Sequence, residues 1–186
     1  QTTQEKARSY RRYDEPGGYD FYQSFKRGAE AITTRGEALD RAAHLIEGLS
    51  NPIEREHNRA ALTALANWLG SRNTFFVPPR GVYRSPSKAL TVVLKPEVCR
   101  THKGRRQAIA IWNTKDVTLT PTVAGVGIYM LRSKLARGDY ADCTFHVLDL
   151  VRGKLYGPAS IPNHVDMLLA AEFAVADQLL SEDEAA

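Results

Sequence analysis

The chain has 186 residues, a formal net charge of +4 and only two cysteines, with 43% hydrophobic and 25% charged residues. That length supports one domain with a real core, and the composition excludes a disordered, fibrous or disulfide-stapled protein. No apolar run reaches the roughly 18 residues of a bilayer span, and the polar stretch from Gln1 to Tyr13 lacks the apolar core of a signal peptide, so no membrane association and an intracellular, cytoplasmic setting are expected.

Charge is distributed unevenly. Between residues 71 and 116 stand Arg72, Arg80, Arg84, Lys88, Lys95, Arg100, Lys103, Arg105, Arg106 and Lys115, opposed by Glu97 and Asp116 alone. From Asp139 onward the acids Asp142, Asp149, Asp166, Glu172, Asp177, Glu182, Asp183 and Glu184 face only Arg152 and Lys154. Such a division points either to a polyanionic partner or to two halves that neutralise each other across the fold.

In chain order, residues 1–18 read as a flexible basic arm ending at Pro16-Gly17-Gly18, and 19–186 as a single domain. The aromatic cluster Tyr19, Phe21, Tyr22 and Phe25 opens a helix to about Thr33 and anchors the arm to the core. Leu39, Ala42, Ala43, Ile46 and Leu49 give an amphipathic helix over Arg35 to Leu49. Asn51 then caps a second one that has Pro52 at its first position and Glu54 where a capping-box acid belongs. Its buried stripe holds Ala61, Leu62, Leu65, Trp68 and Leu69.

Phe75 to Val77 is a short apolar run. Ala89 to Leu94 reads as a strand continued past Pro96 by Val98 to Thr101, as an edge or bulged strand. His102-Lys103-Gly104-Arg105 makes a hairpin turn, and Gln107 to Trp112 returns as a central strand with apolar residues on both faces. Thr120-Pro121 starts a helix to about Ala136, whose Gly125 and Gly127 suit close packing on a sheet. Thr144 to Leu150 is a strand, Arg152-Gly153-Lys154 a turn before Leu155-Tyr156, and Asn163 caps a last helix with the stripe Val165, Leu168, Leu169, Phe173, Ala176 and Leu180. The fold class is α+β: N-terminal helices on a small mixed sheet in helix-strand-strand-strand-helix-strand order, then a C-terminal helix.

The chain carries no GxGxxG, GxxxxGK[ST] or GxSxG motif, no CxxC pair and no Cys/His cluster at zinc spacing. Cys99 and Cys143 lie in strand-like segments and read as buried free thiols, with a disulfide open on count alone. His57 follows Glu54 and Glu56 on a helix and has no partner at a useful spacing.

From Ile53 to Leu150 the element order, with Pro96-Glu97 on the second strand and Asn113-Thr114-Lys115 ending the third, resembles the PD-(D/E)XK nuclease-like superfamily of RecB type. The resemblance implies that Glu97 and Lys115 are the catalytic acid and lysine. In that family two carboxylates hold a divalent cation that activates water, and the lysine steadies developing charge. Asn113 stands where the second carboxylate belongs, which would weaken Mg²⁺ binding severely, and Gly125 replaces the glutamine expected four residues before Tyr129. Asp116 and Asp149 are substitute acids. Otherwise Glu97 and Lys115 form a solvated cross-strand pair.

Three functions follow. The first is nucleic-acid binding on a nuclease-like, inactive fold, with Arg84, Lys88, Arg100, Lys103, Arg105 and Arg106 contacting phosphates and no cofactor. The second is a protein-interaction or self-assembly module using the basic hairpin and the acidic last helix. The third is a Mg²⁺-dependent nuclease.

Overall fold

The computed structural model describes residues 20–71, 73–86, 90–115 and 117–181. The expected arm at 1–18, Lys88 and Asp116 lie outside the described residues. The class is α+β, as the sequence indicates, with the elements in the expected order and additions described below. None of the described helices is long and apolar enough to cross a membrane.

Three helices come first: α1 (Gln23–Arg35), α2 (Leu39–Glu47) and α3 (Pro52–Leu69). Gly36, at φ 66°, ends α1 in the left-handed conformation that glycine adopts without strain, so the helix expected from Arg35 starts four residues later. The Asn51 side chain accepts from the N–H groups of Ile53 and Glu54, the cap its position before Pro52 implies. Asn58 on α3 is fully buried and holds the start of α1. It accepts from Phe25 N–H at 2.7 Å and donates to the Phe21 carbonyl at 2.8 Å.

Strands β1 (Thr74–Phe75), β4 (Val98–His102), β5 (Arg105–Trp112), β6 (Thr144–Asp149) and β7 (Lys154–Tyr156) form one sheet in the order β1-β4-β5-β6-β7. Pairings are antiparallel except β5 with β6, which run parallel across the intervening helix α4 (Pro121–Leu135). The central strand β5 is loaded on both faces. Ile109 packs with Phe25, Ile46, Leu62 and Leu65 of the N-terminal helices, while Ala108 packs with Ile128, Leu131 and Phe145 on the α4 side. The β4–β5 turn is the expected one, with Lys103 at φ 49° and Gly104 at φ 74°.

Two expectations about strands are corrected. Thr91–Leu94 (β3) does not continue into β4. It pairs instead with β2 (Gly81–Arg84) in a separate two-stranded sheet, because Pro96 has no N–H to extend a ladder and turns the chain. β2 itself hides behind Pro78-Pro79 and Gly81, which read as loop punctuation. Its Tyr83 stacks on Phe173 at 5.4 Å, fastening this hairpin to the last helix, α5 (Val165–Ser181). That helix begins two residues after Asn163, and Leu168, expected in its core stripe, is 44% exposed.

Both cysteines are free and buried, and burial pushes the Cys99 thiol up to about 12. The α4 glycines differ in role. A Cβ on Gly125 would fall on the Ser160 carbonyl oxygen, whereas one on Gly127 would make ordinary contact with Val147 at 3.6 Å. Gly125→Ala should therefore cost about 2 kcal/mol or more, since backbone cannot rotate aside. Gly127→Ala should be neutral or stabilising by up to about 1 kcal/mol through helix propensity. Urea denaturation of both variants checks this, and equal losses would contradict it.

Candidate functional site

Glu97 lies in the bend between Pro96 and β4. Its Oε2 accepts from Ile111 N–H at 2.8 Å, filling the place on β5 that a strand backbone would occupy had β4 run on through Pro96. The residue keeps some exposure, but its carboxyl is shielded, and burial raises its pKa against the opposing pull of the Ile111 N–H and the charges of Lys26 and Lys95.

The register of β4 on β5 decides what faces this acid. Val98 pairs with Ile109, so position 97 lies opposite Ala110, on the side of the sheet shared by Trp112. The side chains at those two positions are a methyl and an indole. Asn113 and Lys115 lie beyond the end of β5 in the loop toward α4, with Lys115 in an exposed bend. No hydrogen bond or ion pair joins Lys115 to Glu97 among the described residues, so the expected cross-strand pair is not formed. Trp112 Nε1 closes that loop by donating to the Val117 carbonyl at 3.2 Å.

The other acid open to description, Asp149, is fully buried at the end of β6. It accepts from the backbone N–H and the guanidinium of Arg152, both at 3.1 Å, and so holds the β6–β7 turn. Gly125 and Tyr129 are directed elsewhere: the first lies against Ser160, and the second is beside Asp166, whose hydrogen bond raises its pKa. His57 packs on the Phe21 ring. A divalent cation therefore does not fit these residues. Among those described, no three His, Cys, Asp or Glu side chains gather, and the one acid in place already binds a backbone N–H.

Of the six basic residues expected to meet phosphates, Lys88 lies outside the described residues and the other five are differently placed. Arg100 is only 5% exposed. It donates to Gln107 at 3.0 Å and Asn73 at 3.2 Å and covers the Trp68 ring at 4.2 Å, and burial lowers its pKa. Arg106 is ion-paired to Asp142 at 2.6 Å and stacked over Phe76. Arg100 is thus committed internally, a correction to its place in the expected phosphate-binding set, whereas Arg106 remains partly exposed in a surface pair. Lys103 and Arg105 are exposed at the hairpin tip, and Arg84 is exposed on the other sheet. Near Arg100, His146 on β6 has both ring nitrogens buried, and burial, reinforced by the Arg100 charge and opposed by a hydrogen bond to the Tyr156 backbone, lowers its pKa.

Two concavities meet at Glu97. One, of about 430 Å³, is a cleft of mixed character between α1 and the β3–β4 corner, lined by Gln23, Lys26, Arg27, Glu30, Lys95 and Glu97 together with Pro78, Val93 and Pro96. The other, of about 390 Å³, is an apolar pocket between β3, β5 and α4. Lys26 and Arg27 carry no sequence signal of a site, because they sit on the solvent side of an ordinary amphipathic helix. Comparison with known protein families, curated proteins and solved structures finds no match to this chain.

Glu97→Ala should destabilise the fold by about 1–3 kcal/mol by leaving Ile111 N–H unpaired, whereas Glu97→Gln keeps an acceptor and removes a shielded charge. A carboxyl whose pKa is raised on folding contributes stability below its unfolded value, 4.5, and loses it as pH rises through the folded value. Glu97→Gln should thus be more stable than the parent at pH 7, and the gap should close below pH 4.5. Urea melts of both proteins across this range test the sign. A variant less stable at pH 7 would show that the charge itself supports the fold.

Proposed function

We propose that this chain binds a nucleic-acid backbone, without cutting it, in the cleft between α1 and the β3–β4 corner, on a nuclease-like core that shows no metal-ligand cluster among the described residues. The observation that carries the reading is the convergence of Lys26, Arg27 and Lys95 around Glu97, where the helix-strand-strand-strand-helix-strand order would place catalysis, while Ala110 and Trp112 stand at the positions facing it. Three cations meet two acids there, Glu30 and Glu97. Lys26 pairs with Asp20 at 2.9 Å and Lys95 with Glu30 at 3.6 Å, both pairs about half-exposed. Surface pairs of this kind are worth about 0–1 kcal/mol, so phosphates can displace them. The exposed Lys103 and Arg105 add to the field without sharing the cleft. The contacts are to backbone charge, so little sequence preference is expected.

A second reading, self-assembly, rests on the exposed apolar residues Met167, Leu168 and Val175 of α5. Salt separates the two, since counterion release weakens nucleic-acid binding steeply and leaves apolar association in place.

For three phosphate contacts on duplex DNA, affinity should fall roughly 40-fold between 50 and 200 mM salt, following a slope of about −0.9 per contact. The Lys26→Ala, Arg27→Ala, Lys95→Ala triple variant should lose most of that dependence, read by fluorescence anisotropy on a labelled duplex. Plasmid incubated with the protein and Mg²⁺ should stay intact. Salt-independent or absent binding, or cleavage abolished in Glu97→Ala, would each overturn the reading.

A further inference from the structure

We propose that the apolar pocket beside Glu97 is a binding site for a small organic ammonium, an apolar body carrying one cationic nitrogen. The inference does not rest on the nucleic-acid reading, which concerns the cleft on the other side of the same acid. The pocket holds about 390 Å³ and lies between the β2–β3 hairpin, the end of β5 and the inner face of α4. That is within the roughly 300–1,000 Å³ range of small-molecule sites.

Its walls are aliphatic, with Leu119, Met130, Leu131 and Val147 inside and the Trp112 ring toward the sheet. Two valines of the lining, Val93 and Val123, are 56% and 51% exposed, so the opening is apolar as well. Glu97 is the single acid of the lining and Lys95 the single base. The carboxyl is fixed by Ile111 N–H through one oxygen, Oε2. Its shielding from water makes an anionic guest unfavourable and a cation favourable, because a cation brings a charge-assisted hydrogen bond, whereas Lys26 and Lys95 bear on the carboxyl only through their charge. The apolar body gains by leaving water for the Leu119–Met130 wall. Ala110 keeps this space open: it lies opposite position 97, and any larger side chain there would project into the pocket.

The test uses three probes of one shape: phenethylammonium, phenethyl alcohol and phenylacetate. Each is titrated into the intact protein while the Trp112 indole and Met130 methyl resonances are followed. Phenethylammonium should give saturable shifts at both, with affinity at least tenfold above the alcohol, and phenylacetate should not bind. Glu97→Gln should lose tenfold or more for the ammonium and leave the alcohol unchanged. Ala110→Phe should abolish binding of both, provided its circular dichroism matches the parent. Should Ala110→Phe not fold, the Glu97→Gln comparison decides alone. Shifts absent at Trp112 and Met130, or three probes bound alike with no effect of Glu97→Gln, would overturn the proposal.

Discussion

The architecture around the site turns on one hydrogen bond, from Ile111 N–H to the Glu97 carboxylate. Pro96 offers no N–H and bends the chain away, so β5 reaches past the end of its β4 partner with a backbone donor facing protein. A buried donor left unpaired costs about 1–3 kcal/mol. By reaching back across the corner, Glu97 meets that requirement and lets the chain before Pro96 belong to a different sheet. The β2–β3 hairpin is then free to fold over α4 and stack Tyr83 on Phe173. The wedge it leaves between β3 and β5 is the apolar pocket, and the corner itself forms one wall of the cleft. A residue that resembles a catalytic acid thus has a sufficient structural reason to be an acid.

The uneven charge along the chain has an equally local resolution. The basic middle and acidic last third do meet, at Arg106 with Asp142 across the start of β5 and the loop before β6. Arg100 shows the other outcome. It is buried with two amide oxygens as acceptors and the Trp68 ring against it, an arrangement that joins β4, β5 and the end of α3. A guanidinium tolerates this because its charge is delocalised and its planar fork can hydrogen-bond and stack together. Proximity along the chain therefore says little about a common surface: alternate residues of one hairpin look into opposite layers, and the residues of a β-turn look into solvent.

How much could be read in advance follows from the range of each signal. The Asn51-Pro52 cap, the Thr120-Pro121 start and the two-sided apolar load on Gln107 to Trp112 are local and strong, and the fold keeps all three. The break between β3 and β4 is not local. Pro96 is compatible with a bulged edge strand or with a change of sheet, and only the pairing of β3 with a strand hidden behind Pro78-Pro79 selects the second. The site failed to be legible for the same reason. A triplet read by spacing put Asn113 and Lys115 beside Glu97, but the register places Ala110 there, three residues earlier. Lys26 and Arg27 come to the cleft from far away in sequence, on a helix whose pattern reports only its buried side.

The identity of the side chains at positions 110 and 112 sets the chemistry of this region more than Glu97 does. A carboxylate and a lysine there would make a polar, hydrated site, in which Glu97 could share a cation and keep its ordinary acidity. Ala110 and Trp112 instead bring no charge, and burial of the carboxyl raises the pKa of Glu97. Once that has happened a hard divalent ion, which needs several anionic oxygens and its own waters, is the poorer guest, and a soft organic cation needing one acceptor and an apolar wall is the better one. Two neighbouring concavities, one lined by three cations and two acids and the other mostly by aliphatics, are the physical consequence of placing a single shielded carboxylate at this corner.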